Sequence, residues 1–392
     1  MGHLKLAIAG LLLGSLGSPL ALAQKSVTDQ SAQVESAQSP NRQGLDSYSI
    51  PQLMQRLHVP GVSIAVVHDF QVLWTKTYGL ADVLTGAPVN AQTRFQAASI
   101  SKPVTAFATL RAVEARRLSL DENVNRYLKT WKIPDNEYTR GGVTLRALLS
   151  HTSGTGDGFG FPGYDPTAPL PSLEQILYGK PPSNTGPVFW ERPPFTAAKY
   201  SGGGIVIEQL ALQTVYGKPF AQLMQELVLG PVGMNDSSYE QPLPPDKDQN
   251  AARAHDASGK PMGAKWHVYP EEAAAGLWTT PTDLAKLGIE VQKALRGQSK
   301  LLSRETALEM VAPAGTGAFA TGFAVEKRGE GWYFMHDGSN WGFRCDLMMH
   351  RQKGYGVAIM TNGDNGRQLM SEIEARVAAA ADWDTLDKPV SR

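Results

Sequence analysis

Two apolar runs near the start of the chain set its pattern. Val62-Ser-Ile-Ala-Val-Val67 and Val72-Leu-Trp-Thr-Lys-Thr-Tyr78 are rich in β-branched and aromatic residues, with a short break from His68 to Gln71. This predicts two neighbouring antiparallel strands joined as a hairpin. Residues 45–58 before them read as an amphipathic helix that stops ahead of Pro60-Gly61. Helical patterns then dominate, at residues 103–116, 144–149, 205–214, 220–229 and 282–295. A long Gly- and Pro-rich loop interrupts them at 155–194, with room for one short helix at Leu173–Tyr178. Loops of this length in compact proteins tend to be functional or disordered. After Ala318 the pattern returns to strands, at 319–326, 331–335, Phe343–His350 and 355–361, and closes on a helix at 367–381. Strands at both ends with helices between predict an α+β fold. One antiparallel sheet is made from the two ends, and the middle forms a mainly helical lobe.

The first residues change the picture of where the protein works. Lys5, the apolar core Leu6 to Leu16 and the small residues Ala21-Leu22-Ala23 form the pattern of a secretory signal, cleaved after Ala23. The apolar run is too short and too Gly-rich for a good membrane span. No cysteine follows it, which argues against a lipoprotein anchor, and residues 24–42 are polar enough to read as a flexible linker. A single domain is then expected at 43–388, with an α/β lobe at about 43–105 and 285–388 and a helical lobe at about 106–284. Lys5 is the only formal charge within residues 1–23, so a chain with 37 basic and 37 acidic residues stays near neutral after cleavage. That balance offers no bulk attraction for nucleic acid or an anionic membrane. Cys345 is the only cysteine, which excludes an intramolecular disulfide and a Cys-rich metal site. A periplasmic or secreted protein that relies on its core fits these features.

Candidate chemistry centres on Ser99 and Lys102. Three residues apart at the start of an apolar helical run, they share one helix face. A lysine whose pKa is lowered by burial can take the proton of a serine nucleophile, and a helix N-terminus favours a developing anion. Alone the pattern is weak, since roughly one chance match is expected in a chain of this size. Other nucleophile and cofactor signatures do not occur: no G-x-S-x-G, no H-E-x-x-H, no phosphate-binding G-x-x-x-x-G-K-[ST]. Two later segments add to it, Tyr200-Ser201-Gly202 ahead of a helix and His336-Asp337-Gly338-Ser339 after a strand-like run.

With these three motifs in order and wide spacing, the chain resembles the serine β-lactamase and penicillin-binding-protein superfamily. The branch is that of class C β-lactamases, D,D-carboxypeptidases, D-aminopeptidases and family VIII esterases. Leu148-Leu-Ser-His-Thr-Ser-Gly154, Gly230-Pro-Val-Gly-Met234, Gly276-Leu-Trp-Thr-Thr280 and Met360-Thr-Asn-Gly-Asp-Asn365 extend the likeness over most of the chain. The resemblance implies a β-lactamase/transpeptidase-like fold and a serine hydrolase working without metal or cofactor. Ser99 is then the nucleophile and Lys102 its base. Tyr200 relays protons, with a pKa depressed by the Lys102 cation. The backbone N–H groups of Ser99 and Ser339 form an oxyanion hole, and Gly338 lets a small-molecule or peptide substrate lie along the strand.

Departures from the family pattern bear on the substrate. His336 stands where many members have lysine, and a histidine near its ordinary pKa is a weaker carboxylate anchor. Gly202 replaces an asparagine, and Asp337 replaces a hydroxyl residue and can repel an anion. These changes favour ester or D-amino-acid amide hydrolysis over efficient β-lactam hydrolysis. The alternative is a catalytically weak or silent penicillin-binding-like protein that recognises cell-wall peptide. Arg344 is a candidate to bind a substrate carboxylate in place of the missing lysine. His151 reads as a brace beneath the site and Cys345 as an inert buried thiol. Trp341 and Phe343 either shape an acyl pocket or pack in the core.

Overall fold

The predicted hairpin lies at the centre of the main sheet. A computed structural model describes residues 27–38, 44–157, 160–329 and 331–383. In it β1 (Gly61–His68) pairs antiparallel with β2 (Gln71–Asp82), from Gly61 opposite Gly79 to His68 opposite Gln71. All but the last residue of β1 is buried. That explains its unbroken apolar run, since a strand covered on both faces has no solvent side to alternate with. The remaining strands are β3 (Ala87–Pro88), β4 (Phe95–Gln96), β5 (Trp278–Thr279), β6 (Ala324–Arg328), β7 (Gly331–Asn340), β8 (Phe343–His350) and β9 (Gly356–Thr361). Seven of them form one antiparallel sheet in the order β3-β2-β1-β9-β8-β7-β6, while β4 and β5 pair separately. Val62 sits opposite Thr361, so the first and last strands of the chain are neighbours. The sheet is built from the two ends, in the α+β, β-lactamase/transpeptidase-like arrangement.

Helices α1 (Val27–Glu35), α2 (Ile50–Arg56), α3 (Ser101–Glu114), α4 (Gly202–Tyr216), α5 (Pro281–Leu295) and α6 (Gly366–Ala380) cover the sheet and extend it. Side-chain alternation divides the core in two. Ala65, Val67, Cys345, Leu347, Ala358 and Met360 face α3 and α5, whereas Val62, Ile64, Val66, Val357 and Ile359 face Leu369, Ile373 and Val377 of α6. Among the described residues between β4 and β5, none joins the main sheet.

Four expectations need correction. The signal-like segment lies outside the described residues, but the linker does not behave as one throughout. Val27–Glu35 is helical, and the buried Arg376 guanidinium of α6 donates to the carbonyls of Val34, Ser36, Leu45 and Tyr48 while pairing with Glu372. A polar composition did not predict that a buried arginine would gather those carbonyls. The helix expected at 45–58 is broken into a short turn, Leu45–Ser47, and α2, because Ser49 caps α2 in a reciprocal pair with Gln52. Strand β6 begins only at Ala324, after Gly322, which takes a φ of +108° and would clash with Ala106 if it carried a Cβ. Finally, His336-Asp337-Gly338-Ser339 does not follow a strand but lies within β7, which continues to Asn340.

Candidate active site

Ser99 stands in a tight turn, Ala98–Ile100, that runs straight into α3. The turn is pinned on several sides. Ala98 adopts a φ of +49°, the Ser101 hydroxyl donates to Ala98 O at 2.6 Å, and the Ala97 N–H donates to Leu277 O at 2.8 Å. The Cys345 thiol donates to Ala97 O at 2.8 Å, so it buttresses the turn rather than merely filling space. From the other side comes β7. A Cβ on Gly338 would lie 2.4 Å from Ala97 O and 2.4 Å from Cys345 Sγ, so only glycine lets the strand pass this close.

Lys102 is one turn along from Ser99 and 1% exposed. Its Nζ donates to Ser99 Oγ at 3.0 Å and to Ala274 O at 2.8 Å. Burial brings its pKa down to about 7, against the opposing charges of Asp337, Asp157 and Glu208. A lysine so placed is neutral far more often at neutral pH than an exposed one, and in that form it can accept a proton.

Tyr200 comes from the helical side, just before α4. Its hydroxyl is hydrogen-bonded to Ser99, and Lys102 Nζ lies 5.0 Å from its ring centre. The expected depression of its pKa does not occur. Burial, reinforced by the Asp337 charge, pushes the phenol above its ordinary range, and the Ser99 hydrogen bond only partly opposes this. Ser201 caps α4 by accepting from the Gly204 N–H, and donates its own hydroxyl to Asp157 at 2.7 Å. Gly202 is covered by Phe161, whose Cε2 would be 2.7 Å from an added Cβ. The ring therefore takes up space that a side chain at Gly202 would need.

On β7, Met335 pairs with Ala324, the first residue of β6, and His336 to Asn340 have no β6 partner. This half of the strand is an open edge beside Ser99. Side chains alternate along it: His336, Gly338 and Asn340 are buried, Asp337 and Ser339 exposed. Asn340 donates to Gln96 Oε1 and Ala275 O, tying β7 to β4. The His336 ring lies 6.1 Å from that of Tyr200. Burial, then the Lys102 charge, lowers its pKa to about 4, so it is neutral rather than partly charged at neutral pH. Asp337 points the other way and pairs with Arg367 at 2.8 Å. Arg344, opposite Ser339 in the register, is also on that far face, where it pairs with Asp364 at 2.8 Å and donates to the Asn340 and Phe343 carbonyls. It is not brought to Ser99.

Other expected residues fall as follows. Phe343 is core, packed edge-on against Trp278, and Trp341 stacks on His267 with ring centres 3.9 Å apart. His151 lies directly against Tyr200, ring centres 4.3 Å apart, and its Nδ1 accepts the Ser201 N–H. Sequence reasoning missed Asp157, Phe161, Glu208 and Phe319. Glu208 is fully buried behind Lys102, accepts from Thr109, and is raised by burial to about 8. A charged residue inside the strongly apolar α4 was the available signal for it. Among the described residues no cluster of His, Cys, Asp or Glu could hold a metal ion, and no helix is long and apolar enough to cross a membrane.

This fold and this grouping of serine, lysine and tyrosine agree with the comparisons. The Beta-lactamase family model matches residues 49–382, and the chain belongs to that family. Among curated relatives, esterase EstB of Burkholderia gladioli is 28% identical over 235 residues, covering 56% of each chain. A β-lactamase of Lysobacter lactamgenus is 28% identical over 244 residues, 61% of this chain and 57% of that one. Each match thus spans little more than half the length of the relative. Of solved structures, the D-alanine carboxypeptidase AmpC of Burkholderia cenocepacia aligns over 91% of this chain and all of its own, with a TM-score of 0.67 at 20% identity. At that identity the likeness speaks for the fold alone.

Proposed function

We propose that the protein is a serine hydrolase that acts through an acyl-enzyme on Ser99, and that esters or D-amino-acid amides suit it better than β-lactams. The observation that carries this reading is the buried Lys102 amine, 3.0 Å from Ser99 Oγ and brought to about pKa 7. Neutral Lys102 takes the Ser99 proton as Oγ attacks the substrate carbonyl. The backbone N–H groups of Ser99 and Ser339 receive the oxyanion; a donor of this kind is typically worth on the order of 10²–10³ in rate. Tyr200, a neutral phenol, hands a proton to the leaving group and recovers one from Lys102. Water then attacks the ester and the same groups return the proton to Ser99.

Among the described residues, neutral His336 and the turned-away Arg344 leave Lys102 as the cation beside Ser99, which disfavours a substrate that depends on a carboxylate anchor. EstB being named an esterase agrees with this. The Lys5 to Ala23 pattern supports work outside the cytoplasm.

Labelling with a fluorescent fluorophosphonate tests the reading. Wild type is expected to label and Ser99→Ala not to. If wild type stays unlabelled, or the variant labels equally, a silent cell-wall-peptide binder is the better description. Short p-nitrophenyl esters, nitrocefin and D-alanyl peptides then rank the substrates.

A further inference from the structure

Three consecutive carbonyls reach the site from one short helix, Glu272–Ala275. Ala274 O accepts from Lys102 Nζ at 2.8 Å, and Ala273 O lies 3.3 Å from the Thr105 hydroxyl of α3. Ala275 O accepts from the Asn340 amide of β7 at 3.1 Å. These carbonyls are available because a helix leaves its last ones without a partner inside it. A single turn of helix does not hold itself, since its few hydrogen bonds cannot offset the entropy of fixing the backbone. The turn that cradles Lys102 needs support from outside.

Gln209, in the middle of α4, supplies it. Its side chain is 1% exposed. Oε1 accepts the Ala273 N–H at 3.0 Å, and Nε2 donates to Pro270 O at 3.2 Å and to Glu272 Oε2 at 2.9 Å. One amide thereby uses its acceptor and both its donors on a single segment, satisfying an N–H that the start of the turn leaves over. Tyr200 leads into the same helix, so α4 both presents the phenol and braces the wall behind the amine.

We propose that Gln209 is a positioning residue for the base: by holding the turn 270–275 it keeps Ala274 O on Lys102 and keeps water away from the amine. The inference rests on the acyl-enzyme reading above and adds a residue that touches no substrate. Lys102 is a competent base near neutral pH because it is dry. A loosened turn lets water reach Nζ, and a hydrated ammonium gives up its proton only at higher pH. No neighbouring charge changes with the amide. Asp337 and His336 of β7, Asp157, His151 and Tyr200 on the helical side, Glu208 of α4, Glu272 of the turn and Tyr239 beyond Thr105 all stay in place. An upward shift therefore reports hydration of the amine.

The rate of fluorophosphonate labelling against pH tests it, with kcat and KM on a p-nitrophenyl ester measured beside it. Wild type is expected to gain rate with a midpoint near 7. Gln209→Met keeps the length and loses the amide. It is expected to raise the midpoint by about one unit or more and to lower kcat on the order of 10–10²-fold, with KM within about twofold. A purely structural amide would lower the melting temperature and the fraction that labels, yet leave the midpoint of the folded molecules where it was. An unmoved midpoint in Gln209→Met, or a loss carried by KM with kcat intact, overturns the proposal. If the Met variant takes no label, Gln209→Asn, one carbon too short for the segment, decides on the same terms. Loss of labelling in wild type would instead overturn the hydrolase reading itself.

Discussion

The two faces of the free half of β7 differ sharply. Towards Ser99 it presents His336, Gly338 and Asn340, all buried, with no formal charge. Away from Ser99 it presents Asp337 and Ser339, with Arg344 alongside, and the charged groups there are closed into pairs with Arg367 and Asp364. The period-two alternation of a strand sorts neighbours in sequence into opposite environments. Charges near the motif therefore need not contact the site, although Asp337 still acts on Lys102 and Tyr200 across the strand. Lys102 is the cation at Ser99, and its pKa is governed first by burial.

That contrast can be broken most severely at its one inward cation. Lys102→Met is expected to slow Ser99 labelling by about 10³-fold or more while raising the melting temperature. The sign follows from linkage. An unfolded lysine binds its proton up to about pH 10.4, whereas the folded site releases it near 7, so burial of Lys102 costs stability at every pH below the unfolded value. A lower melting temperature for the variant at pH 6–8 would contradict this. Next comes Gly338→Ala. Its methyl meets Ala97 O and Cys345 Sγ at 2.4 Å, so the Ser99 turn or the strand must shift. A loss of about 10²-fold in kcat/KM with a fall in melting temperature is expected. Unchanged ester hydrolysis would show that this close approach is dispensable.

Smaller effects sharpen the comparison. His336 and His151 have pKa values held below their unfolded value, so they add nothing to pH dependence above about 6.5 and cost stability as pH falls below it, His336 down to about 4. Thermal melts over that range should steepen for wild type and flatten for His336→Leu; parallel curves would mean that other groups dominate. Least of all, Arg344→Ala on the outward face should lower the melting temperature by a few degrees yet leave kcat/KM within about threefold. A large drop in activity would bring Arg344 back to the substrate.

Much of this was legible in the residues. β-branched runs marked β1 and β2, and Ser99-x-x-Lys102 was readable as a candidate from its short spacing, whereas Tyr200 and Gly338 entered through the family resemblance. What pairing across long separations decides was not. Cys345 looked inert because Ala97 is distant in sequence, and Asp157 was one acid in a long loop until Ser201 and Gly203 came to it. Tyr200 was misjudged for another reason. A neighbouring cation was visible in the motif, but the burial that outweighs it is a property of the packed lobes. Arg344 was misplaced because its face depends on the register of β7 with β8.

The pairing of β1 with β9 has a consequence for how the molecule comes into being. Val62 meets Thr361 and Ala97 meets Cys345, so a growing chain carries Ser99 and Lys102 long before their partners exist. Contacts this distant in sequence form late and slowly. Until β7 and β8 have been synthesised, the nucleophile lacks its glycine edge and its thiol prop. On the acyl-enzyme proposal, Ser99 waits for the last strands before its surroundings are complete.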